Sequence, residues 1–100
     1  MQDKMSGAEG LSSANILVKG RVQGVYFRKF SVENARKLDL AGFAQNMPDG
    51  RVLVFAEGGR SSILKLIALL HKGPPMARVD DLEVAWSPFT GKYQDFSIRR

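Results

Sequence analysis

The chain has 100 residues, the size of one compact domain, with 44% hydrophobic and 25% charged residues. It has no cysteine and one histidine, which excludes disulfides, thiol nucleophiles and metal sites built from Cys or several His. No apolar run approaches the roughly 18 residues of a membrane span, and the acidic start is unlike a secretory signal. We therefore expect a cytoplasmic protein.

The net charge of +5 indicates an anionic partner, which could be nucleic acid, a membrane surface or a small phosphate compound. Residues 1–14 are rich in Ser, Gly, Ala and charge and lack periodicity, which predicts a flexible tail before a domain over 15–100. Alternating apolar residues then predict a strand near 15–22. Apolar residues at helical spacing predict a helix over 27–38.

The next segments predict a hairpin and a second helix. Residues 42–46 and 51–57 read as strands, and the intervening MPDG has the residues of a tight turn. The apolar spacing of 61–72 predicts a helix with Ser61 or Ser62 as its N-cap. Two further strands are predicted at 78–87 and 95–99.

The predicted order is β-α-β-β-α-β followed by a short strand, which is the split βαβ arrangement. We therefore predict an α+β, ferredoxin-like sandwich. Its two helices pack on one face of an antiparallel sheet, and the short C-terminal strand lies at the edge of that sheet.

Charge at the start of the first helix is unusual. Arg28 and Lys29 stand in its first turn, and no carboxylate follows until Glu33. The helix dipole disfavours each such cation by about 0.3–1 kcal/mol. A phosphate held by the amides of a loop containing Gly24 and by the guanidinium of Arg28 would reverse that sign. On spacing alone, the alternative that both cations simply face solvent stays open.

Three stretches resemble motifs of one family. GRVQGVYFR (20–28) resembles the acylphosphatase signature G-x-V-Q-G-V-x-F-R. GFAQNMPDG (42–50) resembles the second signature, G-[FYW]-[AV]-x-N-x-x-D-G, and GPPMARV (73–79) resembles a third stretch. The closing residues 96–98 also fit, so the resemblance extends from about residue 15 to 99. Both departures are mild and lie within this pattern: Phe43 stands where tryptophan is frequent in the family, and Pro48 stands in the turn.

The resemblance implies a metal-free hydrolase that splits the carboxyl–phosphate anhydride of small acyl phosphates. It implies that Arg28 and Asn46 are the catalytic residues, with Arg28 binding phosphate and Asn46 orienting the attacking water. The phosphate would also be held by the loop residues Gln23, Gly24, Val25, Tyr26 and Phe27. Since the leaving group is a carboxylate, no general acid is needed. We expect a monomer that binds neither nucleic acid nor membrane.

Two alternatives remain open at this point. Ferredoxin-like domains often bind RNA on the sheet face, where Phe55 could stack on a base, although the RNA-recognition motif is absent from 51–57. The chain could also be a non-catalytic interaction domain, or resemble the acylphosphatase-like module of a hydrogenase-maturation protein. Its length and the presence of both Arg28 and Asn46 favour a separate enzyme.

Overall fold

The computed structural model of the chain describes residues 10–100. The predicted order of strands and helices is confirmed, and every predicted element lies within four residues of its expected bounds. The elements are β1 (Leu11–Arg21), α1 (Phe27–Lys37), β2 (Ala41–Asn46), β3 (Val52–Gly59), α2 (Arg60–Lys72), β4 (Arg78–Ser87) and β5 (Phe96–Arg99).

The five strands form one sheet in the order β4-β1-β3-β2-β5. The pairs β1–β3, β1–β4 and β2–β3 are antiparallel, but β5 is parallel to β2, so the sheet is mixed. β1 to β4 form the predicted antiparallel sheet, and the short edge strand β5, whose direction was not predicted, makes the whole sheet mixed. The chain reverses direction after β4 and crosses to the other edge of the sheet. Because β2 already runs opposite to β4, a reversed strand docked beside β2 must run parallel to it.

Both helices cover one face of the sheet, as predicted. Along β3, alternate residues Val52, Val54 and Ala56 have no exposed surface and point toward the helices. Each helix contributes apolar residues at helical spacing to this core: Phe27, Val32 and Ala35 from α1, and Ile63, Leu66 and Leu70 from α2. Full burial of one large apolar side chain contributes about 1.5–3 kcal/mol. Within residues 10–100, neither helix is long and apolar enough to cross a membrane.

The segment that links β4 to β5 crosses the opposite face of the sheet. There the ring of Tyr93 packs on Phe43 and Phe55, with centroids 5.9 and 5.3 Å away. The hydroxyl and backbone N–H of Thr90 donate hydrogen bonds to the buried carboxylate of Glu57, at 2.8 and 3.0 Å. This segment therefore covers the aromatic surface that an RNA base would have needed.

Two predicted boundaries are wrong. β1 begins at Leu11, so the last residues of the predicted tail form a strand that pairs with the end of β3, while residues 1–9 lie outside the described part. Ser12 and Ser13 are polar, so this part of the strand lacks the alternating apolar residues that would have predicted it. The helix α2 begins at Arg60 with Gly59 as N-cap and has no side-chain cap, because β3 continues through Gly59 directly into the helix.

Candidate active site

A small cavity lies at the end of the sheet where β1 leads into α1 and β2 ends. Its volume is about 330 Å³, at the lower end of the roughly 300–1,000 Å³ of small-molecule sites. The residues that line it are Val22, Gly24, Tyr26, Phe27, Arg28, Lys29, Asn46 and Ile98. The cavity thus joins three regions that are distant in sequence: the loop before α1, the end of β2 and the last strand.

Five of the seven residues predicted from the sequence line this cavity: Gly24, Tyr26, Phe27, Arg28 and Asn46. Val25 instead points into the core, where it is 3% exposed. The side chain of Gln23 reaches toward the turn between β2 and β3. A role for the backbone amides of Gln23 and Val25 in phosphate binding stays a prediction.

The side chain of Gln23 fastens the loop to that turn. Its Nε2 donates hydrogen bonds to the carbonyl oxygens of Met47, at 2.8 Å, and Arg51, at 3.0 Å. Met47 directly follows Asn46, so these bonds hold the loop before α1 beside the residue that ends β2. Gln23 therefore does not line the cavity, but it holds together two of the segments that do.

The beginning of α1 is uncapped and positively charged. Tyr26 is the N-cap residue, yet its side chain makes no capping bond, and the first turn contains no acidic residue. The first amides of a helix have no partner inside the helix and carry the positive end of its dipole. Together with Arg28 and Lys29 they give this end of the cavity the character of an anion site.

The backbone of Tyr26 is itself strained. Its φ is 65°, in the left-handed region that side chains with a β-carbon avoid at about 1–2 kcal/mol per residue. Gly24 has a φ of 76°, which a glycine adopts without that penalty. The loop thus makes a tight turn into the helix, and such strain is concentrated at functional sites.

The guanidinium of Arg28 has little to hold it in place. Its Nη1 lies 3.5 Å from the carbonyl oxygen of Arg99, at the long limit for a hydrogen bond. Among residues 10–100, the ion pairs join other side chains, and Arg28 has no carboxylate partner. Most of its donors are therefore available to an anion in the cavity, and a guanidinium binds two oxygens at once.

The side chain of Asn46 carries a buried acceptor without a donor. Asn46 is the last residue of β2 and pairs with Val52, and it lies on the helix-facing side of the sheet with Ala44. Its Oδ1 is buried and accepts no hydrogen bond from the described residues. A buried polar atom left without a partner costs about 1–3 kcal/mol. This oxygen therefore lacks a donor from the described residues, at a residue that lines the cavity.

Sequence reasoning did not assign site positions to Val22, Lys29 and Ile98. Lys29 was recognised only as a cation of the first helical turn, although its place directly after Arg28 is a usable signal. Ile98 lies 70 residues after Arg28 in the chain. Only the position of β5 beside β2 brings it to the cavity. No local pattern around Ile98 indicates that neighbour.

A larger cleft of about 480 Å³ lies along β1 and β4, but two of its three cations, Arg51 and Arg78, are already paired with carboxylates. The backbone N–H and side chain of Arg51 donate to Asp49 and keep the pKa of that carboxyl below its usual value. The hydrogen bonds from Arg78 likewise lower the pKa of Asp80. The smaller cavity, with its unpaired guanidinium and buried acceptor, is therefore the better candidate. Within the described part of the chain, no group of three or more His, Asp or Glu side chains is placed to hold a metal ion.

Comparisons with known proteins find similar sequences and structures in one family. The sequence model of the acylphosphatase family matches residues 14–98. An acylphosphatase from Methanococcoides burtonii is 48% identical over 96 residues, which cover 96% of this chain and 100% of that protein.

Solved structures support the same fold. The crystal structure of acylphosphatase from Bacillus subtilis is similar with a TM-score of 0.86 and 38% identity, covering 90% of this chain and 99% of the other. An acylphosphatase structure from Coxiella burnetii gives a TM-score of 0.87 and 34% identity, covering 95% of this chain and 100% of the other. The predicted ferredoxin-like α+β class is confirmed.

Proposed function

Because this chain belongs to the acylphosphatase family, we propose that the cavity between α1 and the end of β2 is the site where it hydrolyses small acyl phosphates. The products are a carboxylate and inorganic phosphate. One observation supports this location most strongly. An uncapped, cationic helix start and the buried, unpartnered Oδ1 of Asn46 meet in one cavity.

The phosphoryl group binds at the beginning of α1. The backbone amides of the loop and of the first helical turn donate hydrogen bonds to its oxygens. The guanidinium of Arg28 adds a bidentate, charge-assisted contact. The unpaired state of Arg28 among the described residues supports this role, because an internal carboxylate would compete with the phosphate. Fixed donors of this kind each contribute about 10²–10³ in rate.

Asn46 orients the attacking water. Its Oδ1 accepts one hydrogen of that water, which turns a lone pair of the water oxygen toward phosphorus. A new P–O bond forms on that side while the P–O bond to the acyl group breaks, and the bonding electrons leave with the carboxylate. The water's proton passes to a phosphate oxygen. Positioning and charge stabilisation dominate phosphoryl transfer, so this site needs no side-chain acid or base.

The non-catalytic alternatives lack support. Curated relatives that are 41–49% identical over most of this chain are named as enzymes of this activity. Phe55, the residue suggested for RNA stacking, lies under Tyr93. We further propose that the enzyme is a cytoplasmic monomer. The absence of cysteine fits a reducing compartment, and light scattering coupled to size exclusion tests the monomer.

Hydrolysis of benzoyl phosphate in the presence of a chelator tests the proposed site. We expect turnover by the wild type and a loss of about 10²–10³ in kcat/KM for Arg28→Ala. Arg60→Ala is the matched control, since Arg60 is an exposed arginine that stacks on Trp86 beyond the far end of β3. No turnover by a folded wild type, or equal losses in the two variants, would overturn the proposal.

A further inference from the structure

Two exposed apolar side chains stand at the rim of the proposed active site. Tyr26 is 72% exposed and Ile98 is 42% exposed, and both line the 330 Å³ cavity. Only six large hydrophobic side chains are this exposed among residues 10–100, and the other four do not line the cavity. The core does not require either side chain, so their common location needs another reason.

The backbone conformation at Tyr26 is unfavourable for a residue with a β-carbon. Its φ of 65° suits glycine, and no side-chain capping bond compensates for the strain. A tyrosine here leaves its ring exposed next to the first turn of α1. Glycine would relieve this strain, so the backbone conformation does not explain the tyrosine.

Ile98 reaches the same rim from the last strand. It lies beside Ala44 in the parallel pairing of β5 with β2, two residues before Asn46. Side chains of directly paired residues share a face of the sheet, so Ile98 is on the side of the helices and of Asn46. The following carbonyl, that of Arg99, lies 3.5 Å from Nη1 of Arg28, so this end of β5 is close to the proposed phosphate-binding group.

We propose that Tyr26 and Ile98 form the binding surface for the acyl group, and that the enzyme prefers aromatic or branched apolar acyl groups to acetyl. The inference rests on the proposed function. With the phosphate held by Arg28 and the helix start, the acyl group must extend toward the remaining lining, which at the rim is apolar. The negative charge of the phosphate balances the two cations that line the cavity, Arg28 and Lys29. No lining cation is then left to bind a charged acyl group.

The ratio of kcat/KM for benzoyl phosphate to that for acetyl phosphate measures this preference. We expect Tyr26→Ala and Ile98→Ala each to lower the ratio by about tenfold, the usual effect of lost apolar contacts in a specificity pocket. Tyr26→Phe keeps the ring and should keep the ratio. Leu64→Ala is a matched control, because Leu64 is 52% exposed on α2 and does not line the cavity.

A ratio that is unchanged in active Tyr26→Ala and Ile98→Ala variants would overturn the inference and leave the proposed function intact. Should either alanine variant fail to fold, Tyr26→Leu or Ile98→Thr gives the same comparison with less lost volume. A folded wild type that hydrolyses neither substrate would overturn the proposed function, and this inference with it.

Discussion

The side-chain amide of Gln23 donates a 2.8 Å hydrogen bond to the carbonyl oxygen of Met47, across 24 residues of sequence. A second bond from the same nitrogen reaches the carbonyl oxygen of Arg51 at 3.0 Å. Gln23 stands at the start of the loop that leads into α1, and Met47 follows Asn46. One side chain thus sets the spacing between the proposed phosphate-binding loop and the proposed water-binding residue.

We expect Gln23→Glu to lower kcat about tenfold without unfolding the protein, since a carboxylate has the same shape but cannot donate these bonds. Steady-state kinetics with benzoyl phosphate checks the loss. If Gln23 acts by placing Asn46, the double variant with Asn46→Ala will lose little more than Asn46→Ala alone. Fully additive losses would contradict this positioning role.

Two glycines with positive φ should respond differently to alanine. At Gly42, with φ 142°, a β-carbon would overlap the carbonyl oxygen of Phe55, so Gly42→Ala should destabilise the fold by at least about 2 kcal/mol. At Gly24, with φ 76°, no atom lies within 4 Å of the added carbon, so only the backbone strain of about 1 kcal/mol remains. Urea unfolding of both variants measures these differences.

Because Gly24 lines the cavity, Gly24→Ala should reduce activity more than its small loss of stability suggests. Activity would be measured well below the unfolding transition. Wild-type activity in Gly24→Ala would contradict its role at the cavity. Equal stability of the two alanine variants would contradict the steric difference between Gly24 and Gly42.

The buried carboxylate of Glu57 should make stability depend on pH. Burial alone raises its pKa, but hydrogen bonds from Thr90 and Ser13 outweigh that effect and lower the pKa below its ordinary value of 4.5. The charged form is therefore favoured by folding. Its contribution is complete above pH 4.5 and is lost as the pH falls through the lower, folded-state pKa.

We expect Glu57→Gln to destabilise the protein by about 1–3 kcal/mol at pH 7, because an uncharged amide accepts weaker hydrogen bonds and buries an unpaired donor. The difference in unfolding free energy should shrink below pH 4.5, where the wild type becomes protonated. Urea unfolding of both proteins at several pH values gives that difference. A difference that does not change with pH would show that the charge of Glu57 is unimportant.

Inorganic phosphate should stabilise the folded enzyme. A ligand at 100 times its Kd adds about 2.7 kcal/mol, which corresponds to a rise in Tm of at least about 10 °C in a domain of this size. Arg28→Ala should lose most of this rise at the same phosphate concentration, and Arg60→Ala should keep it. Sodium chloride at equal ionic strength controls for screening, and an equal rise with chloride would contradict specific binding.

The elements could be predicted, and two candidate site residues could be assigned to one place, because their signals are local. Hydrophobic periodicity and turn residues indicated each strand and helix, and the motifs around Arg28 and Asn46 placed both residues where the structure brings them together. Glu57 could not be predicted as buried. Its partner Thr90 is 33 residues away, and only the crossing segment covers the carboxylate.

The irregular register between β1 and β4 could not be predicted from local sequence patterns either. Lys19 pairs with Asp81 and Gly20 pairs with Val79, so Asp80 is an extra residue that bulges from β4. Strand alternation alone would place Asp80 and Asp81 on opposite faces, yet both border the larger cleft. The direction of β5, and with it the contribution of Ile98, likewise depends on the path across the sheet.

Arg28 is proposed to bind phosphate and Asn46 to orient the water, and Asn46→Ala separates these two roles. We would measure kcat with benzoyl phosphate and the Kd for inorganic phosphate on the same preparation. We expect kcat to fall at least about 100-fold while the Kd for phosphate stays within about threefold of the wild type. An unchanged kcat, or a loss of phosphate affinity as large as the loss of kcat, would contradict the assignment of the water to Asn46.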